Sequence, residues 1–181
     1  MYIQTQNTPN PNTLKFIPGI EVLKNGSKQF NKHDNCADSL LAQQLFKIDG
    51  VDSIFFGNDF ISVTKENKVD WETIKTFILS KLVDHFLAGL PVIKESQDKK
   101  KTIKANSKIE EQIIELLNSK IRPAVAQDGG DIIYNKFENG VVYLELHGAC
   151  QGCPSSTITL KQGIENMLKH YIPEINSVES I

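Results

Sequence analysis

Apolar residues recur along the chain with two different periods, and the change from one to the other marks out the elements. Trp71, Ile74, Ile78, Leu82 and Phe86 are spaced as one face of a helix, and Asp70 stands where its N-cap belongs. Ile109, Ile113, Leu116, Leu117 and Ile121 predict another amphipathic helix, which Pro123 should bend or end. Leu160, Ile164, Met167, Leu168 and Tyr171 predict the apolar face of a third. Pro154 suits its first turn, Ser155 or Ser156 could cap it, and Pro173 closes it. "SLLAQQLFKI", stopped by Gly50, reads as a shorter helix.

Between these lie segments with β-branched and aromatic side chains: "YIQTQ", "TLKFI", "VDSIFF", "FISVTK", "IIYNKF" and "VVYLELH". Turn residues separate them. "NTPNPN" divides the first two, Gly57-Asn58-Asp59 the next two, and Glu138-Asn139-Gly140 the last two, an Asn-Gly hairpin. In "QDGGD" at least one of Gly129 and Gly130 should take a positive φ. The closing "INSVESI" reads as a short strand.

Composition interrupts this pattern once. Residues 94–108, "KESQDKKKTIKANSK", hold six lysines, two acids and almost no large apolar side chains. Such a stretch buries too little surface to offset its ordering entropy, so it reads as a solvated linker rather than a nucleic-acid patch. Charge divides there too: −1 for residues 1–90, +4 for 94–108 and −5 for 109–181. The expected class is therefore α+β, with two small domains at 1–90 and 107–181 joined by a flexible lysine-rich linker at 91–106. Each domain is expected to be a short sheet with helices packed on one face.

A hydrophobic content of 40% and a charged content of 23% are those of a folded soluble protein. A net charge of −2 gives no general reason to expect nucleic acid. No window of about 18 apolar residues suggests a membrane span. The first residues have neither a secretory nor a transit layout, which points to a protein used where it is made. Three cysteines cannot make a disulfide scaffold, and a reducing compartment fits them best.

The chemistry concentrates in "HGACQGCPSS". Cys150 and Cys153 lie between a strand end and a helix start, where unpaired N–H groups and the helix dipole favour thiolate. Gly148, Ala149 and Gly152 would let the backbone approach a bulky inorganic group. The bland alternative is a pair of inert, partly buried cysteines. Three chemistries compete with it. Zinc wants four protein ligands; His147 could add a third, although it also fits the strand alternation. A thioredoxin-like exchange of disulfides needs a βαβ unit upstream, where a tight hairpin stands instead. An iron–sulfur cluster takes four thiolates, so two copies of the chain about a two-fold axis would supply two each. Cys36, with His33 three residues before it, is a weaker rival ligand.

At this point the residues identify a relationship. "IRPAVAQDGGDI" and "GACQGCPSSTITLKQGIENMLKHYIPEI" resemble the NifU-like C-terminal domain, and "IQTQNTPNPNTLKFIPG" with "IDGVDSIFFGNDFISVTK" resembles the N-terminal domain of the Nfu family. Both signatures are long, occur in the expected order, and cover the chain outside its linker. The resemblance implies a scaffold or carrier of iron–sulfur clusters, not an enzyme. It implies a [4Fe-4S] cluster, with [2Fe-2S] as the other form, bridging a homodimer through Cys150 and Cys153. It implies an upstream assembly scaffold as donor and apo iron–sulfur proteins as acceptors, with no nucleic acid and no membrane. Asp128, Gly129 and Gly130 match the family's DGG turn, read here as structural, and the N-terminal domain would engage partners. Cys36 and His147 match no family ligand. The compartment implied is cytoplasmic for a bacterial chain, or the mitochondrial matrix for a processed one.

Overall fold

The computed structural model of the chain describes residues 1–94, 107–152 and 154–181, with side chains throughout except at 154–157. Of the linker expected at 91–106, residues 95–106 fall outside the described residues, whereas 91–94 are described and Val92 is buried in the core of the first unit. The chain divides into two compact units, Met1–Lys99 and Lys100–Ile181. No helix among the described residues is long and apolar enough to cross a membrane.

The first unit is a five-stranded antiparallel sheet with two helices on one face. Its strands are β1 (Gln4–Asn7), β2 (Thr13–Ile17), β3 (Lys28–Asn31), β4 (Val51–Phe56) and β5 (Ile61–Lys65). They lie in the order β1-β2-β5-β4-β3. Helix α1 (Leu40–Leu45) begins at Ser39, whose hydroxyl accepts from the Ala42 amide and donates to the Val92 carbonyl at 2.7 Å. The chain is thereby tied to this unit beyond α2 (Trp71–Leu87), and the Lys94 amide donates to the Asp38 carbonyl. Ile74, Ile78 and Leu82 of α2 pack with Leu41 and Leu45 against Phe16, Ile54, Phe56, Ile61 and Val63, all at the centre of the core.

Three features depart from the sequence pattern. Strand β3 carries one inward apolar residue, Phe30, in a span of four, too short for its alternation to register. Helix α1 is shorter than "SLLAQQLFKI" suggested. Asp70 does precede α2 in extended conformation, but its side chain makes no capping hydrogen bond.

The inward face of α2 also holds His85, only 2% exposed. Burial pushes its imidazole below the ordinary value near 6.5, partly offset by the neighbouring Pro91 and Leu90 backbone. The unfolded chain therefore takes up a proton at this site before the folded chain does. The stability His85 contributes is complete above about pH 6.5 and declines as pH falls toward the lowered folded value. Thermal melting of the first unit is expected to drop as pH falls below about 6.5, and His85→Leu should flatten that slope. An unchanged slope in the variant would assign the acid sensitivity elsewhere.

The second unit begins with α3 (Lys108–Leu116), capped by Ser107, whose hydroxyl accepts from the Glu110 amide. The helix does not end at Pro123. It runs through a π turn, Leu117–Ile121, into α4 (Arg122–Gln127). Proline has no N–H to donate to the preceding turn, and a widened turn accommodates that loss without a break. Its signature is the Arg122 amide, which reaches back to the Leu117 carbonyl.

Strands β6 (Gly130–Glu138) and β7 (Val141–Gly148) form the expected hairpin. Asn139 and Gly140 both take positive φ, 52° and 80°, as a type I′ turn requires. Helix α5 (Pro154–Tyr171) then crosses over to β8 (Ser177–Ser180), which pairs parallel to β7. Ile113, Leu117, Ile121 and Val125 meet Ile132, Tyr134, Val142, Leu144, Ile164 and Leu168 in one core. Tyr171, expected on the apolar face of α5, is 52% exposed instead; it lies at the helix end, with the Lys120 ammonium over its ring.

Candidate metal centre

Strand β7 ends at Gly148, whose φ of +62° turns the chain away from the sheet. The following loop is tied down by its backbone. The Cys150 amide donates to the His147 carbonyl at 3.3 Å, and the Gln151 amide donates to the Gly148 carbonyl at 3.1 Å. The Ala149 amide donates to the Gly129 carbonyl at 3.1 Å, joining this loop to the turn that follows α4. Ala149 and Cys150 are buried, whereas Gln151 and Gly152 are exposed. The Cys150 side chain belongs to the core of the second unit.

The two glycines of "DGG" answer different requirements. Gly129 has φ +83°, a conformation that side chains resist. Gly130 is extended and paired with Gly148 across the ladder. Its demand is for space: a Cβ there would overlap the Cys150 Sγ, and would lie 2.9 Å from the His147 carbonyl oxygen and 3.0 Å from the Cys150 nitrogen. The absence of a side chain at 130 is thus what gives the Cys150 sulfur its place. Asp128 is exposed.

The neighbouring carboxylate, Asp131, is the buried one, 6% exposed. Arg122 grips it in a fork, Nε to Oδ1 at 2.8 Å and Nη2 to Oδ2 at 2.7 Å. Oδ1 also accepts from the Ile132 amide at 2.8 Å, and Asn118 Oδ1 accepts from Arg122 Nη1 at 3.0 Å. The Asp131 carboxylate beside it, outweighing partial burial, raises the guanidinium pKa further above its already high value. Neither residue stood out in the sequence, because their partnership depends on the π turn. The one available signal was an arginine and an aspartate flanking a helix end that also carries the DGG turn.

Cys153, the second expected ligand, lies outside the described residues. His147 is opposite Asp131 in the ladder, and its Nε2 is 3.4 Å from Glu145 Oε2. Cys36 lies in the first unit, partly buried against that unit's core, with its thiol donating to the Asp34 carbonyl at 3.4 Å. Burial, then the charges of Asp34 and Asp38, push that thiol pKa up, which disfavours the thiolate a metal needs. Among the described residues no three His, Cys, Asp or Glu side chains converge as a metal site.

The second unit thus holds a buried Cys150 on a loop bonded to its DGG turn, at the end of a three-stranded sheet. Residues 3–89 match the family model described as the N-terminal domain of scaffold protein Nfu/NifU, and residues 113–179 match that of the NifU-like domain. The chain is 50% identical to the human mitochondrial NFU1 iron-sulfur cluster scaffold homolog over 186 residues, covering all of this chain and 72% of that protein. It is 45% identical to the corresponding Drosophila persimilis protein over 184 residues, spanning 65% of that relative's length. The solution NMR structure of a NifU-like protein from Saccharomyces cerevisiae matches 53% of this chain and 87% of its own at 32% identity, with a TM-score of 0.50. The chain belongs to the Nfu/NifU iron–sulfur cluster scaffold family.

Proposed function

We propose that this protein carries an iron–sulfur cluster between two copies of itself, held by Cys150 and Cys153 of each. The cluster is cargo: it arrives from an upstream assembly scaffold and leaves to apo iron–sulfur proteins, and the chain is a carrier rather than an enzyme. The reading takes [4Fe-4S] as the principal form and [2Fe-2S] as the other. The observation that supports it most is the space at Gly130, which seats the Cys150 sulfur where a methyl group would displace it. A two-cysteine contribution per chain also suits delivery, since an acceptor's thiolates can replace one pair at a time. The relatives named above are mitochondrial proteins, which favours the matrix over a bacterial cytoplasm for this chain. The domain division is 1–90, 91–106 and 107–181, with the start of the middle segment, as far as Lys94, bonded back to the first domain.

Anaerobic reconstitution with iron and sulfide is expected to give a brown dimer holding about one [4Fe-4S] cluster per two chains. Cys150→Ser and Cys153→Ser should each abolish it, as read by Mössbauer spectroscopy and mass in solution. A full cluster on a single chain, or on either variant, would refute the shared ligand set. Zinc recovered in place of iron from protein purified without oxygen would favour a zinc module, and catalytic disulfide turnover by the cluster-free chain would favour an oxidoreductase.

A further inference from the structure

Asp131 and Arg122 form a link between the helix and the cysteine loop. Arg122 directly follows the π turn, and Asn118 one turn earlier holds its free guanidinium nitrogen. Its fork fixes both oxygens of Asp131, the buried second residue of β6. Asp131 adjoins Gly130, and Gly130 is the wall of the Cys150 sulfur.

We infer that the Arg122–Asp131 pair is a positioning device for Cys150, holding the Gly130 backbone at the distance that fixes the thiol for its cargo. The inference rests on the ligand role proposed for Cys150 and adds residues to it. A bidentate guanidinium–carboxylate pair suits this task because it constrains orientation as well as separation. Lysine could supply the charge but not the fork. The pair is a support acting through Gly130, so its loss should be felt first as mobility of the loop.

The test uses the full-length, cluster-free chain. Alkylation by iodoacetamide is followed at Cys150 by peptide mass spectrometry, and amide exchange at Leu144 and Leu168, core residues away from the pair, is followed in parallel as a measure of opening of the whole unit. Arg122→Gln and Asp131→Asn are expected to speed Cys150 alkylation about tenfold, the factor expected when charge-assisted hydrogen bonds no longer resist local opening. Arg122→Lys should fall between these variants and the unmodified chain. The two core amides should exchange at unchanged rates. Unchanged alkylation in folded variants would overturn the inference. So would acceleration at Cys150 matched by equal acceleration at Leu144 and Leu168, since that is the mark of a pair that only stabilises the fold. Should the glutamine variant fail to fold, Arg122→Lys carries the same comparison. Reconstitution of the unmodified chain, run alongside, separates the two readings. Failure to take up a cluster there counts against the ligand role, whereas normal uptake with unaltered thiol reactivity counts against the positioning role alone.

Discussion

Gly130→Val is expected to lower the stability of the second unit by about 1–3 kcal/mol and to abolish cluster uptake in reconstitution. The obstacle is steric and has few ways to relax. A Cβ at 130 would meet the Cys150 sulfur, the His147 carbonyl oxygen and the Cys150 nitrogen together, and two of those three atoms are backbone. The backbone on both sides is fixed: Gly130 pairs with Gly148 in the ladder, and the Ala149 amide is bonded to the Gly129 carbonyl. Either the loop swings out, carrying Cys150 away from its seat, or the strands separate. Urea denaturation and the visible absorbance of the reconstituted protein measure the two consequences. Near-normal uptake by the variant would mean that the sulfur is not held where the Gly130 space puts it, and the main support for the proposed ligand would be gone.

Phe56→Ala should lower the stability of the first unit by about 3–5 kcal/mol, a large part of the total of about 5–15 kcal/mol typical of a domain. Phe56 is fully buried at the end of β4, edge-on to Phe30 with ring centroids 6.0 Å apart, and shares its core with Ile54, Ile61 and Leu82. Removing the ring leaves a cavity among these packed side chains. Two probes follow the outcome. Trp71, the sole tryptophan, belongs to the first unit and donates from its indole nitrogen to the Pro11 carbonyl, so its fluorescence reports that unit. Cluster absorbance reports the second, which has a core of its own. The expected result is a first unit that melts early while cluster uptake persists. Uptake lost along with the tryptophan signal would show that the second unit depends on the first.

The longest elements were legible because their patterns repeat. Helices α2 and α5 each carry several turns of apolar spacing, and the Asn139-Gly140 hairpin follows from turn chemistry alone. The two-domain α+β architecture rests on the same repeats. Strand β3 was hidden because an edge strand with a single inward phenylalanine has no period to detect. Cys150 could be picked out because its chemistry is local to one loop. The demand on Gly130 could be only half anticipated: a positive φ in the DGG turn was expected, and Gly129 has it, but the want of space at the next residue is set by a sulfur twenty positions downstream. Arg122 and Asp131 were invisible for a related reason. Their meeting is decided by how the helix winds, which no spacing rule based on a regular α-helix includes.

That winding has a consequence of its own. Ile113, Leu117, Ile121 and Val125 recur every fourth residue and all reach the same core. On a regular helix each such step overshoots a full turn by about 40°, so over three steps the stripe would wander about a third of the way round the cylinder. The wide turn at Leu117–Ile121 works as a vernier that absorbs the surplus, keeping Val125 in phase with Ile113. A residue deleted within it would rewind the rod but throw everything downstream out of alignment. The apparent irregularity is therefore the condition under which a four-residue repeat can serve a single flat wall, and it sets the azimuth at which the chain leaves for its cysteines.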